Sequence, residues 1–240
     1  METLQNKHVV IAGATGGIGR ALAKLIQNSR AHLYLTGRDE TALHALADEL
    51  GLDRNRTYTL DVTDHSAVLS QAEAINNAAG EGGVDILVNA TGVGIIKPLD
   101  KLTYEDFSTS LDINLKGAFS LLKGFVPGMK ERKRGLIINL PGVLGKTPMA
   151  GASAYAASKY GLNGMLKSVR EELRRTEVRI TNLYLGGTDT AFWDTIDMRV
   201  QRDKFVTAEE AAKSIWFLCQ QPSSGVVSEM VLQPFNHQAI

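Results

Sequence analysis

The sequence predicts an α/β protein with a doubly wound parallel sheet of about seven strands and helices on both faces. Three observations carry this prediction: short apolar runs alternate with longer stretches of helical spacing, the 240 residues are 44% hydrophobic, and no linker or repeat divides them. Parallel neighbours need crossover connections, which usually run through helices. One domain, 1–240, is expected, since α/β folds of this length often form a single domain.

Five runs rich in branched apolar residues have the length and composition of strands, and the stretches between them have helical spacing. The predicted strands are 8–12, 32–36, 84–89, 135–140 and 178–185. A further strand is expected just before Asp61. The predicted helices are 17–28, 39–50, 64–79, 104–130, 153–174 and 207–220.

Charge and cysteine content exclude several kinds of partner. The chain carries 26 basic and 26 acidic residues, so no global field attracts nucleic acid or anionic lipid, and small molecules are the expected partners. Cys219 is the only cysteine, which excludes an intrachain disulfide framework and a cysteine-based zinc cluster. No apolar run approaches the roughly 18 residues of a membrane helix. These features favour a cytoplasmic protein with no membrane partner and no metal site.

A glycine-rich turn joins the first predicted strand to the first predicted helix. Gly13, Gly17 and Gly19 lie in this turn, with Thr15 and Ile18 between them. Glycines permit a positive φ and a close backbone approach to a pyrophosphate, and the N–H groups of a helix start favour an anion. The context predicts a dinucleotide-binding site; a purely structural tight turn is the alternative.

The ends of the second and third strands bear on the choice of cofactor. NAD-specific proteins place an acid at the end of the second strand, whereas this chain has Thr36 there. Arg38 can pair with a 2′-phosphate through its planar fork of donors, which favours NADP over NAD. Asp39 could neutralise that preference, and Arg38 could equally be a solvated residue at a helix start, so NAD stays possible. Asp61 and Val62 are expected near the adenine, with a helix-capping turn as the alternative.

Tyr155 and Lys159 are four residues apart, so on a helix both side chains share one face. A nearby ammonium stabilises tyrosinate and lowers the phenol pKa from its free value of about 10. A phenol beside a cation can protonate the alkoxide that hydride addition to a carbonyl leaves. The pair therefore predicts an acid/base centre for carbonyl reduction, although the spacing alone also occurs by chance.

These segments occur in order with several others, and together they resemble the short-chain dehydrogenase/reductase family from the first strand to Pro234. The matching segments are the glycine turn, Asp61, Asn89-Ala90-Thr91-Gly92, Ile113-Asn114-Leu115-Lys116-Gly117, Tyr155 with Lys159, and Gly186-Gly187-Thr188-Asp189-Thr190. The resemblance implies a Rossmann-type fold whose final strand lies within 228–234. Helices 104–130 and 153–174 resemble those that pair in family dimers, so a homodimer or homotetramer is expected.

The resemblance assigns roles to individual residues. It implies that Tyr155 is the general acid/base, that Asn114 holds a water in a proton relay to Lys159, and that Lys159 binds the nicotinamide ribose. Thr190 would contact the carboxamide of the cofactor. The other positions that the family uses for the cofactor are Asn89, Ala90, Gly186 and Thr188, and Tyr155 itself also contacts it.

The position of the family's catalytic serine, thirteen residues before the tyrosine, is occupied by Gly142. That serine normally hydrogen-bonds the substrate carbonyl and orients it against the tyrosine. Loss of one preorganised oxyanion donor typically costs about 10²- to 10³-fold in rate. A backbone N–H of Gly142 or Val143, or the Thr147 hydroxyl, could substitute, because the position of a donor counts more than its chemical type.

The segment after Thr190 covers the substrate in the family, and here it carries Phe192 and Trp193. Facing the pocket, these rings suit a small or medium apolar carbonyl compound; packing into the core is the alternative. The sequence thus predicts an NADPH-dependent reductase of aldehydes or ketones. The competing hypothesis is a catalytically weakened, cofactor-binding sensor or scaffold protein whose missing serine records lost catalysis.

Overall fold

Residues 2–236, which the computed structural model describes, form a parallel sheet of seven strands with helices on both faces. The strands are β1 His8–Ala12, β2 His32–Gly37, β3 Thr57–Thr59, β4 Ile86–Asn89, β5 Arg134–Asn139, β6 Glu177–Leu185, β7 Thr188–Asp189, β8 Val206–Thr207 and β9 Glu229–Leu232. The helices are α1 Gly17–Gln27, α2 Glu40–Leu50, α3 His65–Ala78, α4 Tyr104–Leu111, α5 Gly117–Glu131, α6 Ser153–Leu173 and α7 Ala208–Cys219.

The strand order confirms the doubly wound sheet that the sequence predicts. The sheet runs β3-β2-β1-β4-β5-β6-β9, and β7 pairs separately with β8. All of these pairings are parallel. The chain first builds outward from β1 to β3 and then returns to place β4 on the other side of β1. This reversal between β1 and β4 opens a crevice at the carboxyl ends of the two strands, where open α/β sheets bind ligands.

Both faces of the sheet are covered, which explains why its strands read as continuous apolar runs. Successive residues of a strand point to opposite faces. Val9 and Ile11 of β1 accordingly pack with α1, α2 and α7, whereas Val10 packs with α3, α5 and α6. All three valine and isoleucine side chains are fully buried. Within the described part of the chain, no helix is long and apolar enough to cross a membrane.

The predicted helix 104–130 is interrupted. Between α4 and α5, residues Asp112–Lys116 form a π-helical turn, and Asn114 lies at its centre, buried. The wider turn changes the direction in which the side chains of this segment point, while the chain continues along the same helical axis. Single π-turns of this kind occur frequently at functional sites. The apolar spacing that predicts the helix does not distinguish the two kinds of turn.

Candidate active site

The residues that the sequence singles out gather at the carboxyl edge of the sheet. Gly13 follows β1, Arg38 follows β2, Asn89 ends β4, Gly142 lies beyond β5 and Gly186 follows β6. Strands β1 and β4 are neighbours in this sheet, so the crevice at the point of reversal lies among these residues. This edge is the candidate active site.

The turn between β1 and α1 leaves room for an anion and none for side chains. Gly13 has a φ of +82°, and a Cβ there would lie 2.9 Å from the carbonyl oxygen of Ala90. A Cβ at Gly19 would overlap the Gly13 carbonyl. Gly16 is the N-cap of α1 and makes no side-chain capping bond, whereas α2, α3, α4 and α7 are each capped by a side chain. The first N–H groups of α1 are therefore left for a phosphate.

Two threonines lie against this turn. A Cβ at Gly37 would be 3.2 Å from Thr15 Oγ1, and a Cβ at Gly17 would be 2.8 Å from the methyl carbon of Thr190. The turn is thus in contact with the end of β2 on one side and with the segment after β6 on the other. The Ile18 side chain packs against the core, so only the backbone of this residue faces the crevice.

Arg38 is exposed at the end of β2, and the acid beside it is already engaged. Asp39 is the N-cap of α2, and its carboxylate accepts a hydrogen bond from the Ala42 N–H at 2.9 Å. Arg38 itself precedes the helix. The Asp39 carboxylate is thus held at the start of α2, while the Arg38 side chain stays exposed beside it.

Asp61 and Val62 shape the turn after β3. The Asp61 carboxylate accepts hydrogen bonds from the Thr63 N–H at 2.9 Å and from its hydroxyl at 2.8 Å, and these bonds lower the pKa of Asp61. Asp64 is the N-cap of α3, and Asp61 forms the turn that directly precedes this cap. The Val62 side chain is buried against Gly117.

Asn89 holds the loop that follows β4. Its amide donates to Asn139 Oδ1 at 3.2 Å, and its oxygen accepts from the Thr91 N–H at 3.1 Å and hydroxyl at 2.6 Å. These bonds position the backbone of Ala90 beside the glycine turn. The sequence motifs do not identify Asn139. A signal for it exists, because Asn89, Asn139 and Asn182 occupy matching register positions on three adjacent strands.

Tyr155 and Lys159 lie one turn apart near the start of α6. Lys159 is 3% exposed; its Nζ lies 5.5 Å from the Tyr155 ring centroid and donates to the Leu140 carbonyl at 3.1 Å. Burial raises the pKa of the Tyr155 phenol and lowers the pKa of Lys159 to about 8. The lowered Tyr155 pKa expected from the sequence is not found, because desolvation disfavours tyrosinate. The phenol is therefore protonated at neutral pH.

Asn114 connects this pair to the loop after β4. Its amide donates to the Val93 carbonyl and to Ser158 Oγ, both at 3.0 Å, and its oxygen accepts from the Val93 N–H at 2.9 Å. A Cβ at Gly92 would lie 3.2 Å from Asn114 Oδ1 and 3.4 Å from Lys159 Nζ, so the two groups flank one glycine. Both amide hydrogens of Asn114 are used in these two bonds. A water of the expected proton relay would therefore have to donate a hydrogen bond to an oxygen atom of Asn114. The motifs give no signal for Ser158.

A pH series on Lys159→Met tests the burial of this ammonium. The Lys159 pKa is about 8 in the folded chain and ordinarily 10.5, so between these values the unfolded chain binds more protons. The free energy of unfolding of wild type, relative to Lys159→Met, should therefore rise with pH. The rise should be about 3 kcal/mol between the two pKa values. Below the lower of them Lys159 is charged in both states, so the full cost of burying the ammonium lowers the free energy of unfolding. Urea denaturation of both proteins measures the difference; a constant value between these pKa values would contradict the buried ammonium.

Gly142 adopts a backbone conformation that is almost exclusive to glycine, with φ +70° and ψ 166°. A Cβ there would lie 3.5 Å from the Leu185 carbonyl oxygen and 3.8 Å from Tyr155 Oη. A side chain at this position would thus have space and would lie close to the phenol. Val143 begins a 3₁₀ turn, and the first N–H groups of such a turn have no partner within it. A serine at this position would have to adopt the same strained backbone.

Gly186 and Thr188 anchor the start of a lid, which we define as residues 188–198. The Gly186 N–H donates to a carbonyl at the end of β9 at 2.8 Å, and the Thr188 hydroxyl donates to the Gly186 carbonyl at 3.1 Å. Thr188 also pairs with β8. Further along, Thr190 Oγ1 accepts from the Phe192 N–H at 3.3 Å. The lid is thereby joined to the sheet before it crosses the site.

The two aromatic residues of the lid face the site rather than the main core. The Phe192 ring centroid lies 5.8 Å from that of Tyr155, and the ring rests directly on Gly94. Trp193 donates its indole N–H to the Thr188 carbonyl at 2.9 Å and meets the Phe192 ring edge-on at 5.4 Å. Both rings belong to a small apolar cluster separate from the two cores on the faces of the sheet.

Known proteins with the same organisation are numerous. A family model described as short chain dehydrogenase matches residues 7–200. The NADP-dependent 3-hydroxy acid dehydrogenase YdfG of Salmonella typhi is 29% identical over 94% of each chain, and an uncharacterized oxidoreductase of Staphylococcus epidermidis is 30% identical over 98% of this chain and 100% of its own. The crystal structure of serine dehydrogenase from Escherichia coli has a TM-score of 0.85 and 27% identity over 96% of this chain and 99% of its own. The chain therefore belongs to the short-chain dehydrogenase family.

Proposed function

We propose that this chain is an NADPH-dependent oxidoreductase that reduces a small or medium aldehyde or ketone to the alcohol. The observation that carries the proposal is the partly buried, protonated Tyr155 one turn from Lys159, at the mouth of a crevice built for a dinucleotide. Structures similar to this chain include the closed form of serine dehydrogenase complexed with NADP+ and a metagenomic short-chain oxidoreductase in complex with NADP. One domain, 1–240, carries both the cofactor and the substrate site.

The residues present fit NADP along its length. The glycine turn offers backbone N–H groups and a space that any Cβ at Gly13 or Gly19 would fill. Arg38 offers a bidentate donor for the 2′-phosphate. Lys159 and Thr190 lie at the nicotinamide end, in the roles that the family resemblance implies. When bound, the reduced nicotinamide supplies the hydride for the carbonyl carbon.

Tyr155 supplies the proton in this reaction. As hydride adds to the carbonyl carbon, the electron pair of the C=O bond moves to oxygen, and the phenol O–H protonates it to give the alcohol. The Lys159 ammonium stabilises the tyrosinate that remains, and at neutral pH a pKa of about 8 leaves most of this amine protonated. Tyr155 then regains a proton from solvent along the Lys159 and Asn114 side of the site.

Backbone N–H groups are candidate donors to the substrate carbonyl at the position where the family has its serine. Gly142 lies beside the phenol, and Val143 begins a 3₁₀ turn whose first N–H groups are free of partners within the turn. A donor fixed near Tyr155 Oη would polarise the carbonyl and hold it against the acid. The pocket positions that the sequence assigns to substrate are Gly142, Val143, Phe192 and Trp193.

Consumption of NADPH and NADH by the purified protein, over a panel of aldehydes, ketones, diketones and quinones, tests the proposed function. Reduction of at least one carbonyl class with formation of the alcohol is the expected result. Tight binding of NADPH without turnover of any member of the panel would instead support the cofactor-binding sensor or scaffold. The glycine-only backbone at Gly142 is the observation that favours that second candidate.

Arg38→Ala should weaken NADPH binding by about 10- to 100-fold, because charge-assisted hydrogen bonds to a phosphate contribute about 1.5–3 kcal/mol. The dissociation constant for NADH should change little, since NADH has no 2′-phosphate. Fluorescence titration of both cofactors measures the two constants. Arg54→Ala is a matched control, because Arg54 is an exposed arginine already paired with Asp48. Equal weakening of both cofactors would contradict the role of Arg38.

Cytoplasmic location and assembly as a homodimer or homotetramer stay predictions. Tyr104, Phe107 and Phe119 are exposed aromatic side chains on α4 and α5. These helices lie within the segment 104–130 that resembles the paired helices of family dimers. The exposed rings support the assembly prediction, because contiguous apolar surface commonly marks an interface.

A further inference from the structure

The lid closes over the site through apolar side chains. Phe192, Trp193 and Ile196 of the lid pack with side chains from the loops after β4 and β5, and we call this group the lid cluster. Its members besides the lid residues are Ile96, Leu144 and Met149. The cluster reaches the reaction centre, because the Phe192 ring lies beside Tyr155 and on Gly94. A substrate held against Tyr155 beneath this lid is therefore in contact with hydrocarbon.

Among the described residues, Lys97, Lys146 and Arg202 are cations that adjoin the lid cluster, and each is already paired with a carboxylate. Lys97, next to Ile96, lies 2.8 Å from both oxygens of Asp106. Lys146 lies 2.6 Å from Glu229 and 4.2 Å from the Tyr184 ring centroid. Arg202 lies 2.6 Å from Asp189 and from Asp194 and donates to the Thr190 carbonyl at 3.0 Å.

These ion pairs neutralise charge, and they also connect the segments that surround the site. Arg202 joins Asp189, near the start of the lid, to Asp194, in its middle, and Lys146 joins the loop after β5 to β9 through Glu229. If Arg202 or Lys146 turned to bind a substrate instead, its carboxylate partners would be left unpaired and the link between the two segments would be lost. Arg199, which directly follows the lid, is exposed.

Lys159, beside Tyr155, donates to the Leu140 carbonyl and in the proposed reaction faces the cofactor. A carboxylate on the substrate would thus lie against the apolar lid cluster without a cation of its own. Burial of an unpaired charge is strongly unfavourable, whereas a neutral group of the same size meets only dispersion contacts. We infer that the substrate of this chain is an uncharged, apolar carbonyl compound and that substrates bearing a carboxylate beside the reacting carbon are rejected. The inference rests on the proposed reductase function and differs from the hydroxy-acid and serine activities named for its relatives.

Matched pairs of keto esters and keto acids test this inference. Ethyl acetoacetate and acetoacetate share one ketone, as do methyl benzoylformate and benzoylformate, and each pair differs in the carboxylate charge. With NADPH saturating, kcat/KM for the ester should exceed that for the acid by at least about 100-fold in a pair that is turned over. Met149→Arg, which places an unpaired cation in the lid cluster, should reduce this ratio by at least about 10-fold. Met149→Gln has similar length without charge and should retain the wild-type ratio; thermal denaturation of both variants checks that they fold.

Each outcome bears on the inference in a different way. A wild-type enzyme that reduces an acid as well as its ester overturns the substrate class and leaves the reductase function standing. Loss of that acid activity in Arg199→Ala would identify the cation that the inference overlooks and would equally overturn it. If neither pair nor any other carbonyl compound is reduced while NADPH binds, the proposed function fails, and the inference fails with it.

Discussion

Tyr155→Phe should lower kcat for carbonyl reduction by about 10³-fold, because the alkoxide loses its positioned proton donor. The phenol is partly buried, protonated at neutral pH and one helical turn from the Lys159 ammonium, so it is the acid that the proposed mechanism uses. The dissociation constant for NADPH should change by less than about twofold, since the substitution removes a single oxygen. Single-turnover measurement of NADPH oxidation gives the rate, and fluorescence titration gives the binding constant.

Tyr160→Phe supplies the matched control for this substitution. Tyr160 lies on the same helix, one residue beyond Lys159, and is 43% exposed. The same chemical change there should leave kcat unaltered. Retention of substantial activity in Tyr155→Phe would assign the proton to another group and would remove the basis of the proposed mechanism. Loss of NADPH binding together with activity would place Tyr155 in cofactor binding alone.

The main features of the fold follow from the sequence because burial on both faces leaves a strong pattern. Strands such as β1 and β4 are continuous apolar runs, and their order is decided by right-handed crossovers through helices. The glycine turn and the Tyr155/Lys159 spacing are equally visible, since each depends on residue types at short, fixed separations. Placement of these motifs at one edge of the sheet then follows from the parallel topology alone.

The features that sequence reasoning misses depend on side-chain direction or on tertiary environment. The π-turn at Asn114 has the same apolar spacing as an ordinary helix, so no pattern announces it. The Tyr155 pKa is set by two opposing effects, and only the degree of burial decides that desolvation exceeds the pull of Lys159. Similarly, Asp61 and Asp64 are equally good candidates for a helix cap until the start of α3 is known.

The expected effect of a serine at position 142 changes most once the backbone is known. From the sequence alone, Gly142→Ser should simply restore a donor and raise the rate of a reductase. The structure adds an opposing effect, because Gly142 has a φ of +70° and a ψ of 166°. Residues other than glycine in such regions cost about 1–3 kcal/mol. The restored hydroxyl and the strained backbone must therefore be separated experimentally.

Gly142→Ala and Gly142→Ser together achieve this separation, because both carry the same Cβ and the same backbone strain. Both variants should lose about 1–3 kcal/mol in the free energy of unfolding. A Cβ at this position lies 3.8 Å from Tyr155 Oη, so a hydroxyl attached to it can reach the substrate carbonyl. Gly142→Ser should therefore turn over about 100-fold faster than Gly142→Ala, in line with the contribution of one oxyanion donor.

Urea denaturation and steady-state NADPH oxidation of wild type and both variants provide the required numbers. A serine variant no faster than the alanine variant would mean that backbone N–H groups at Gly142 or Val143 already polarise the carbonyl, because a further donor then adds nothing. Full stability of Gly142→Ala would contradict the glycine-only backbone. If Gly142→Ser turns over faster than wild type, the gain in rate from the hydroxyl exceeds the loss caused by the strained backbone. The wild-type chain would then work below the rate that Tyr155 and Lys159 can support.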